Sequence, residues 1–330
     1  MSTFLARRSR SDLDRKRERV GRGRATAVTK EGKSQNSSSL SPKMTKRLRT
    51  KIPVIFVGLL PIVVLALTFS CAERTAEEGR LEVVVSILPL ADFVERVGGE
   101  KVQVTIMVPP GASPHSYEPK PSQLMAVSKA RMFVKVGTGV EFELAWMDKL
   151  TEINRDMLVL NSSEGLQPIG KDPHVWLSPL NAKRIVVNIC DGLVKLDPQN
   201  QDYYAANKNK YLAQLDELNL STKARLSGLT DRRFIVFHPA WGYLARDYGL
   251  EQIAVEEEGK ETTAENIRAV IDKAKGMSRK TVFVSPQFST KGAEIVAHEI
   301  GGSTESLDPL PQHYLVDMQT AVGRLFQAMR

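Results

Sequence analysis

The stretch Leu81-Glu-Val-Val-Val-Ser-Ile-Leu88 is a nearly continuous run of β-branched and other apolar side chains. Such a run is typical of a strand buried on both faces of a parallel sheet. Helical and strand-like patterns alternate after it, with helices predicted at 90–98 and 121–129 and strands at 102–108 and 132–136. This alternation predicts an α/β lobe built on a parallel sheet.

The same alternation returns after residue 230. The predicted strands are 234–237, 253–256 and 281–284, and the predicted helices are 242–248, 264–275 and 291–300. The chain is also longer than one ordinary core requires. We therefore expect two α/β lobes, at 81–198 and 230–330.

The section between the lobes has no strand-like run. Its apolar residues recur at helical spacing over 181–229, with one break at Asp197-Pro198. The helix after the break would span about 40 Å at the usual rise per residue. It could be a stiff strut between the lobes, assigned to 199–229, or one more packing helix.

The net charge of +8 is concentrated at the front of the chain. Residues 1–51 hold 16 of the 46 basic and 4 of the 38 acidic residues, which leaves 30 basic against 34 acidic residues elsewhere. A nucleic-acid-binding protein would carry its positive charge on the folded body. No nucleic-acid partner is expected.

Three segments precede the predicted body. Residues 1–43 are too poor in apolar side chains to form a core, so we expect a disordered basic extension. Residues 44–71 have the order of an export signal: a basic start, the apolar run 52–70 and then Cys71. We therefore infer that translation starts at Met44 and that 72–80 is a polar tether.

Cys71 stands where a bacterial lipoprotein signal has the cysteine that is lipidated. Thr68 and Phe69 depart from the usual residues, and 19 residues at about 1.5 Å each would also suit an uncleaved membrane anchor. In both cases the body lies in the periplasm or at the outer face of the cell membrane. Cys190, the other cysteine, is predicted to be a buried thiol without a disulfide.

Three of the five histidines lie beside prolines in predicted loops. They are His115 after Pro114, His174 after Pro173, and His238 before Pro239. Because proline fixes φ, a neighbouring side chain can be held in a loop as a metal ligand requires. A single histidine is usually an ordinary polar residue, but three in this setting favour a shared metal ion. His298 and His313 are interpreted as exposed histidines without this role.

Asp308 is the predicted fourth ligand, because it precedes a proline in another constrained loop. Zinc accepts imidazole and carboxylate ligands, and a filled tetrahedron leaves no place for an activated water. Glu118, the acidic run 256–258 and a water molecule are alternatives for this position. An aspartate before proline can also be a simple turn residue.

The segments around these histidines resemble the zinc/manganese ABC-transporter substrate-binding lipoproteins, in their zinc-binding branch. The segments are 109–122, 172–179 and 238–250, and the resemblance runs from about residue 81 to 330, with Asp197-Pro198, Gly259-Lys260-Glu261 and Ser285-Pro-Gln-Phe288. It implies two α/β lobes with parallel sheets, joined by a single long rigid helix. The metal would lie in the interlobe cleft, bound by His115 and His174 from the first lobe and His238 and Asp308 from the second.

The resemblance also bears on the choice of metal. The manganese branch commonly has a Glu where this chain has His238, and a third imidazole favours Zn²⁺ over Mn²⁺ or Fe²⁺. Many zinc-specific relatives have a His-rich loop, but residues 160–171 of this chain contain no histidine. The chain therefore lacks that accessory feature.

We thus expect a monomeric receptor, anchored to the membrane by its lipid, that captures zinc and delivers it to an ABC importer permease without catalysis. The chain has no GxxxxGK[ST] motif, so ATP hydrolysis would belong to another subunit. The alternative is an exported zinc hydrolase that uses the same histidines with water in the fourth place. A dinucleotide enzyme is not favoured, because Phe142 replaces the third glycine after Gly137-Thr-Gly139.

Overall fold

The structure is a computed structural model that describes residues 79–256, 263–277 and 279–330. The predicted extension, export signal and lipidation site, together with the Gly259-Lys260-Glu261 segment, lie outside the described residues. Among the described helices, none is long and apolar enough to span a membrane.

The first sheet is parallel throughout and follows the order β2-β1-β3-β4. Its strands are β1 (Leu81–Val85), β2 (Val102–Ile106), β3 (Met132–Lys135) and β4 (Leu158–Asn161). The helices between them are α1 (Leu88–Gly98), α2 (Pro121–Lys129) and α3 (Glu141–Ile153). Val83, Val84 and Val85 of the central strand are buried, as expected for a strand covered by helices on both faces.

Two helices follow the first sheet. They are α4 (Pro179–Leu196) and α5 (Gln201–Ser227), separated by a short 3₁₀ turn at Pro198–Asn200 where the sequence predicts a break. The 27 residues of α5 correspond to about 40 Å of helix. α5 packs against α1 and α4 of the first lobe and also against the C-terminal helix, α9 (Tyr314–Met329), of the second. It is therefore a connecting helix and a packing helix together.

The second sheet repeats the first, with parallel strands in the order β6-β5-β7-β8. Its strands are β5 (Arg233–Val236), β6 (Glu251–Ala254), β7 (Thr281–Val284) and β8 (Ser303–Ser306). The helices between them are α6 (Gly242–Tyr248), α7 (Ala264–Ala274) and α8 (Lys291–Glu299). The predicted α/β fold with two parallel sheets is confirmed.

One hydrophobic core extends over both lobes. It includes Val84 and Phe93 of the first lobe, Leu215 of α5, and Phe283 and Met318 of the second lobe. A smaller cluster covers the other side of the second sheet. Cys190 of α4 is buried in the shared core as a free thiol, and burial raises the pKa of this thiol.

Three edge strands differ from the pattern that the sequence shows. The predicted strand 253–256 lies at Glu251–Ala254, and β4 and β8 were not predicted at all. All three are bonded to one neighbour; β4 is only partly buried, and β8 consists of the polar residues Ser-Thr-Glu-Ser. An edge strand with little buried surface has no apolar period that the sequence could reveal.

In each sheet the strand order changes direction between the two central strands, which are β1 and β3 in the first sheet and β5 and β7 in the second. Ligands of such sheets bind outside the carboxyl ends of the strands at this point. His115 follows β2, His174 follows β4 and His238 follows β5. The fold therefore brings loops from both sheets to one site.

Candidate metal centre

His174 is held by the aspartate two residues before it. Asp172 Oδ1 accepts hydrogen bonds from the backbone N–H of His174, at 2.9 Å, and from its Nδ1, at 2.7 Å. The preceding carbonyl, of Pro173, accepts a bond from Thr138 Oγ1 at 2.7 Å. Because Nδ1 carries the hydrogen that faces the carboxylate, Nε2 is left with a free lone pair.

His238 has a similar arrangement in the second lobe. Its Nδ1 lies 3.3 Å from Glu256 Oε1, a carboxylate at the end of β6. Glu256 was considered as a possible ligand from the sequence, but it contacts the ring nitrogen that lies opposite Nε2. The geometry is that of a carboxylate that orients the imidazole from behind.

His115 completes the group from the loop after β2. Its Nδ1 lies 2.9 Å from Glu141 Oε1, at the first residue of α3. The ring centroids of His115 and His238 are 5.2 Å apart, and those of His174 and His238 are 5.1 Å apart. All three predicted histidines therefore meet, each with a carboxylate at Nδ1.

Two of the imidazoles face each other through their free nitrogens. His174 Nε2 and His238 Nε2 are 3.3 Å apart. Two nitrogens that bind one tetrahedral zinc at about 2.0–2.1 Å would be about 3.3–3.4 Å apart. If both rings carry their hydrogen on Nδ1, two lone pairs face each other at this distance and repel each other unless a positive charge lies between them.

The cavity at these rings has a volume of about 20 Å³, which is enough for one water or one ion. Apart from the histidines and Glu141 it is lined mainly by apolar groups, among them Val140, Trp176 and Leu310. The Phe288 ring lies 5.3 Å from that of His115 and 5.0 Å from that of His238. This apolar wall limits access of water to the rings.

Burial and hydrogen bonding act in opposite directions on two of the histidines. Burial lowers the pKa of His174, and its hydrogen bond to Asp172 only partly offsets this. The hydrogen bond to Glu141 raises the pKa of His115 more than burial lowers it. For Glu141 burial is the largest influence, but His115 and a backbone N–H lower its pKa overall. His174 is therefore neutral at neutral pH, whereas His115 holds its proton more strongly.

The loop of His174 is fixed to the second lobe by several hydrogen bonds. Tyr243 of α6 donates to the carbonyl of Asp172 at 3.0 Å. Trp176 Nε1 donates to the carbonyl of Pro309 at 2.7 Å, and the Tyr314 hydroxyl donates to the carbonyl of Trp176 at 2.6 Å. His174 thus comes from the first lobe in sequence but is positioned by both.

Asp308, the predicted fourth ligand, is exposed and does not line the cavity. Its Oδ1 accepts hydrogen bonds from Gln287 Nε2 at 2.8 Å and from the Leu310 backbone N–H at 2.9 Å. It is connected to the cavity through Gln287, which is part of the wall. Glu118, another alternative from the sequence, is exposed and is also not part of the wall.

Across 79–256, 263–277 and 279–330, no three His, Cys, Asp or Glu side chains already stand in a geometry that could hold a metal ion. The Nε2 atoms of His174 and His238 nevertheless have the spacing that two ligands of one tetrahedral zinc would have. His115 has the most exposed of the three side chains, at 25% against 10% for His174 and 6% for His238. It therefore has the most room to adjust.

The sequence did not indicate the roles of Glu141, Gln287 and Phe288. Each lies in a loop or at a helix start after a strand, where no periodic pattern marks an inward-facing side chain. A signal was present for Asp172, because a carboxylate two residues before a histidine can accept from both its backbone and its ring. Gln287 and Phe288 lie in the segment 285–288, which shares the family resemblance but did not indicate their roles. His298 and His313 are exposed, in agreement with the prediction.

Comparison with known proteins gives one consistent result. A family model described as "Zinc-uptake complex component A periplasmic" matches residues 83–328. The high-affinity zinc uptake system protein ZnuA of Bacillus subtilis (strain 168) is 29% identical over 252 residues, which cover 70% of this chain and 79% of that protein. The manganese-binding lipoprotein MntA of Halalkalibacterium halodurans is 32% identical over 238 residues, 69% of this chain and 78% of that protein.

Solved structures agree with these relatives. A crystal structure of ZnuA has 41% sequence identity and a TM-score of 0.73, and the match covers 76% of this chain and all of that one. Several other matches are lipoproteins or periplasmic proteins named for metal binding, and none of those described above is an enzyme. The hydrolase and dinucleotide alternatives therefore lose their basis. The chain belongs to the family of periplasmic zinc-uptake complex components, as the signature segments predicted.

Proposed function

We propose that this protein captures one Zn²⁺ ion with His115, His174 and His238 and delivers it to the permease of an ABC importer. The 3.3 Å separation of His174 Nε2 and His238 Nε2 carries the proposal. Both nitrogens have free lone pairs, because both Nδ1 atoms face carboxylates. Such a pair attracts a cation and offers nothing to an anion.

The choice of zinc rests on the chemistry of the ligands. Three neutral imidazoles suit Zn²⁺, whereas Mn²⁺ prefers more oxygen ligands. The relatives include proteins named for zinc and for manganese, so the family alone does not select the metal. Asp308, the fourth ligand expected from the sequence, could reach the ion only by leaving Gln287 Nε2 and the Leu310 N–H.

The remaining parts of the proposal concern location and partners. We propose that the protein is exported, is lipidated at Cys71, and acts as a monomer at the outer face of the membrane. Relatives named as lipoproteins support the anchor. Since the chain has no nucleotide-binding loop, the energy for import would come from the transporter.

The first experiment is metal analysis of the purified protein, followed by competition between Zn²⁺, Mn²⁺ and Fe²⁺. We expect one zinc per chain and the strongest binding for zinc. His238→Ala should lose stoichiometric zinc, whereas the exposed-site control His298→Ala should keep it. Full zinc binding by all three single histidine variants would refute the site.

Delivery needs a separate test in cells. In a strain that lacks this gene, growth under zinc limitation should be restored by the native chain and not by His238→Ala. The native chain should incorporate labelled fatty acid, and the variant Cys71→Ala should not. Equal rescue by His238→Ala would refute delivery of an ion held at this site.

A further inference from the structure

Gln287 has an unusual position in the wall of the histidine cavity. It follows β7, at the carboxyl end of a central strand of the second sheet. Its amide oxygen, Oε1, is fully buried, and no donor among the described residues reaches it. A buried amide oxygen without a partner normally loses stability, so its presence in a binding cavity calls for a ligand.

The orientation of the amide follows from its other hydrogen bond. Asp308 Oδ1 lies 2.8 Å from the amide nitrogen of Gln287. A carboxylate only accepts hydrogen bonds, so the atom that faces it must be the NH₂ group. The oxygen is therefore the atom without a partner. Asp308 holds the amide from the solvent side.

Several hydrogen-bond acceptors then lie in the otherwise mainly apolar wall of the cavity. The free Nε2 atoms of His174 and His238 face each other, and Gln287, whose Oε1 has no donor, belongs to the same wall. A cation, directly or through its bound water, satisfies all of these acceptors at once. Amide oxygens are ordinary ligands of divalent metals, although harder ions take oxygen more readily than zinc does.

We propose that Gln287 determines which oxygen meets the ion: its Oε1 takes the fourth position, and its Nε2 holds the Asp308 carboxylate behind the cavity wall. This rests on the proposed metal binding by the three histidines and adds a specificity-determining residue to it. The shell of the ion then consists of three neutral nitrogens and one neutral oxygen. Release of Asp308 would replace the neutral oxygen with a carboxylate.

The two oxygens differ in the metal that they favour. A carboxylate brings a negative charge and a hard ligand, which help Mn²⁺ more than Zn²⁺. Gln287 therefore supports zinc selectivity by keeping the carboxylate back. The ligand shell with Gln287 would thus favour zinc. Breaking the hydrogen bond between Gln287 and Asp308 would free a carboxylate, and a shell that contains it would tolerate manganese better.

The test compares the variants Gln287→Ala, Asp308→Ala and the double variant in competition between Zn²⁺ and Mn²⁺, with Gln319→Ala on the exposed face of α9 as control. Gln287→Ala should reduce the preference for zinc over manganese by about tenfold, because Asp308 is released. The double variant should restore the preference, since no carboxylate is left to enter. Asp308→Ala alone should lower zinc affinity by no more than the 10–100-fold typical of residues behind the ligands.

A second measurement separates a ligand from a structural residue. The visible absorption bands of Co²⁺ bound in place of zinc report its ligands, and they should change in Gln287→Ala and return in part in the double variant. An unchanged zinc preference in Gln287→Ala, or a loss in Asp308→Ala as large as in His238→Ala, would overturn the proposal. In either case stoichiometric zinc binding that depends on His238 would leave the proposed function intact. Zinc binding that survives loss of the histidines would remove both.

Discussion

Replacement of Asp172 by Ala tests how much the metal site depends on the carboxylates behind the imidazoles. Asp172 Oδ1 accepts from both the backbone N–H and the Nδ1 of His174. The variant removes both bonds but keeps the backbone contacts of the loop, because Tyr243 donates to the main-chain carbonyl of residue 172. His174 then loses the group that selects its tautomer. Loss of such a partner typically costs 10–100-fold in metal affinity, or about 1.4–2.7 kcal/mol.

The assay is a zinc titration at pH 7.5 against a chromophoric chelator of known affinity. Asp172→Asn should lose less than Asp172→Ala, because its amide oxygen can still accept from Nδ1 without the charge. The control is Asp216→Ala, which breaks an exposed ion pair with Lys183 and should leave zinc affinity within about twofold, since exposed pairs contribute little. An affinity of Asp172→Ala equal to that of the native protein would refute the proposed role of the carboxylate, provided that both bind one ion.

Three further predictions concern pH, packing and the contact between the lobes. Because Glu141 raises the pKa of His115, protons should compete with zinc from above the ordinary histidine value of about 6.5; Glu141→Gln should move the loss of zinc binding to lower pH in titrations from pH 8 to 5. In Gly242→Ala the new Cβ would lie 2.6 Å from the Asp172 carboxylate, so calorimetry should show weaker zinc binding, and unchanged binding would mean that Asp172 moves without consequence. Trp176→Phe leaves a buried carbonyl without its indole donor and should reduce the free energy of unfolding in urea by about 1–3 kcal/mol, whereas an unchanged midpoint would show that water replaces the indole.

The sequence could predict the lobes because their central strands are buried on both faces. Val83, Val84 and Val85 form an apolar run without alternating polar residues, which indicates burial on both faces. The α5 helix has apolar residues at helical spacing and contains no proline. The edge strands β4 and β8 were missed: β8 consists of polar residues, and β4 is a short apolar run that is only partly buried. Burial leaves a signal in the amino-acid sequence, whereas pairing at a sheet edge does not.

Some residues of the candidate site could likewise be predicted from the sequence and others could not. The three histidines were predicted from residue type and flanking prolines, and the structure brings them together. Glu141 and Gln287 were not predicted, because their roles depend on which side chains of other strands they meet. For Asp308 the sequence predicted the constrained loop but not the direction of the side chain. Only the structure shows that its carboxylate contacts Gln287 outside the cavity.

The positions of the charged groups explain how a site with neutral ligands can still attract a cation. Asp172, Glu141 and Glu256 each contact an Nδ1 atom, so every imidazole has a carboxylate at the nitrogen opposite Nε2, and Glu141 is also part of the cavity wall. The positive charge of an ion in the cavity would be stabilised by them through the rings, while its direct contacts stay with nitrogen. A hard ion that needs oxygen ligands gains from this field but not from the contacts, whereas zinc gains from both. Selectivity would therefore depend on the inner ligands, and overall affinity on the carboxylates behind them.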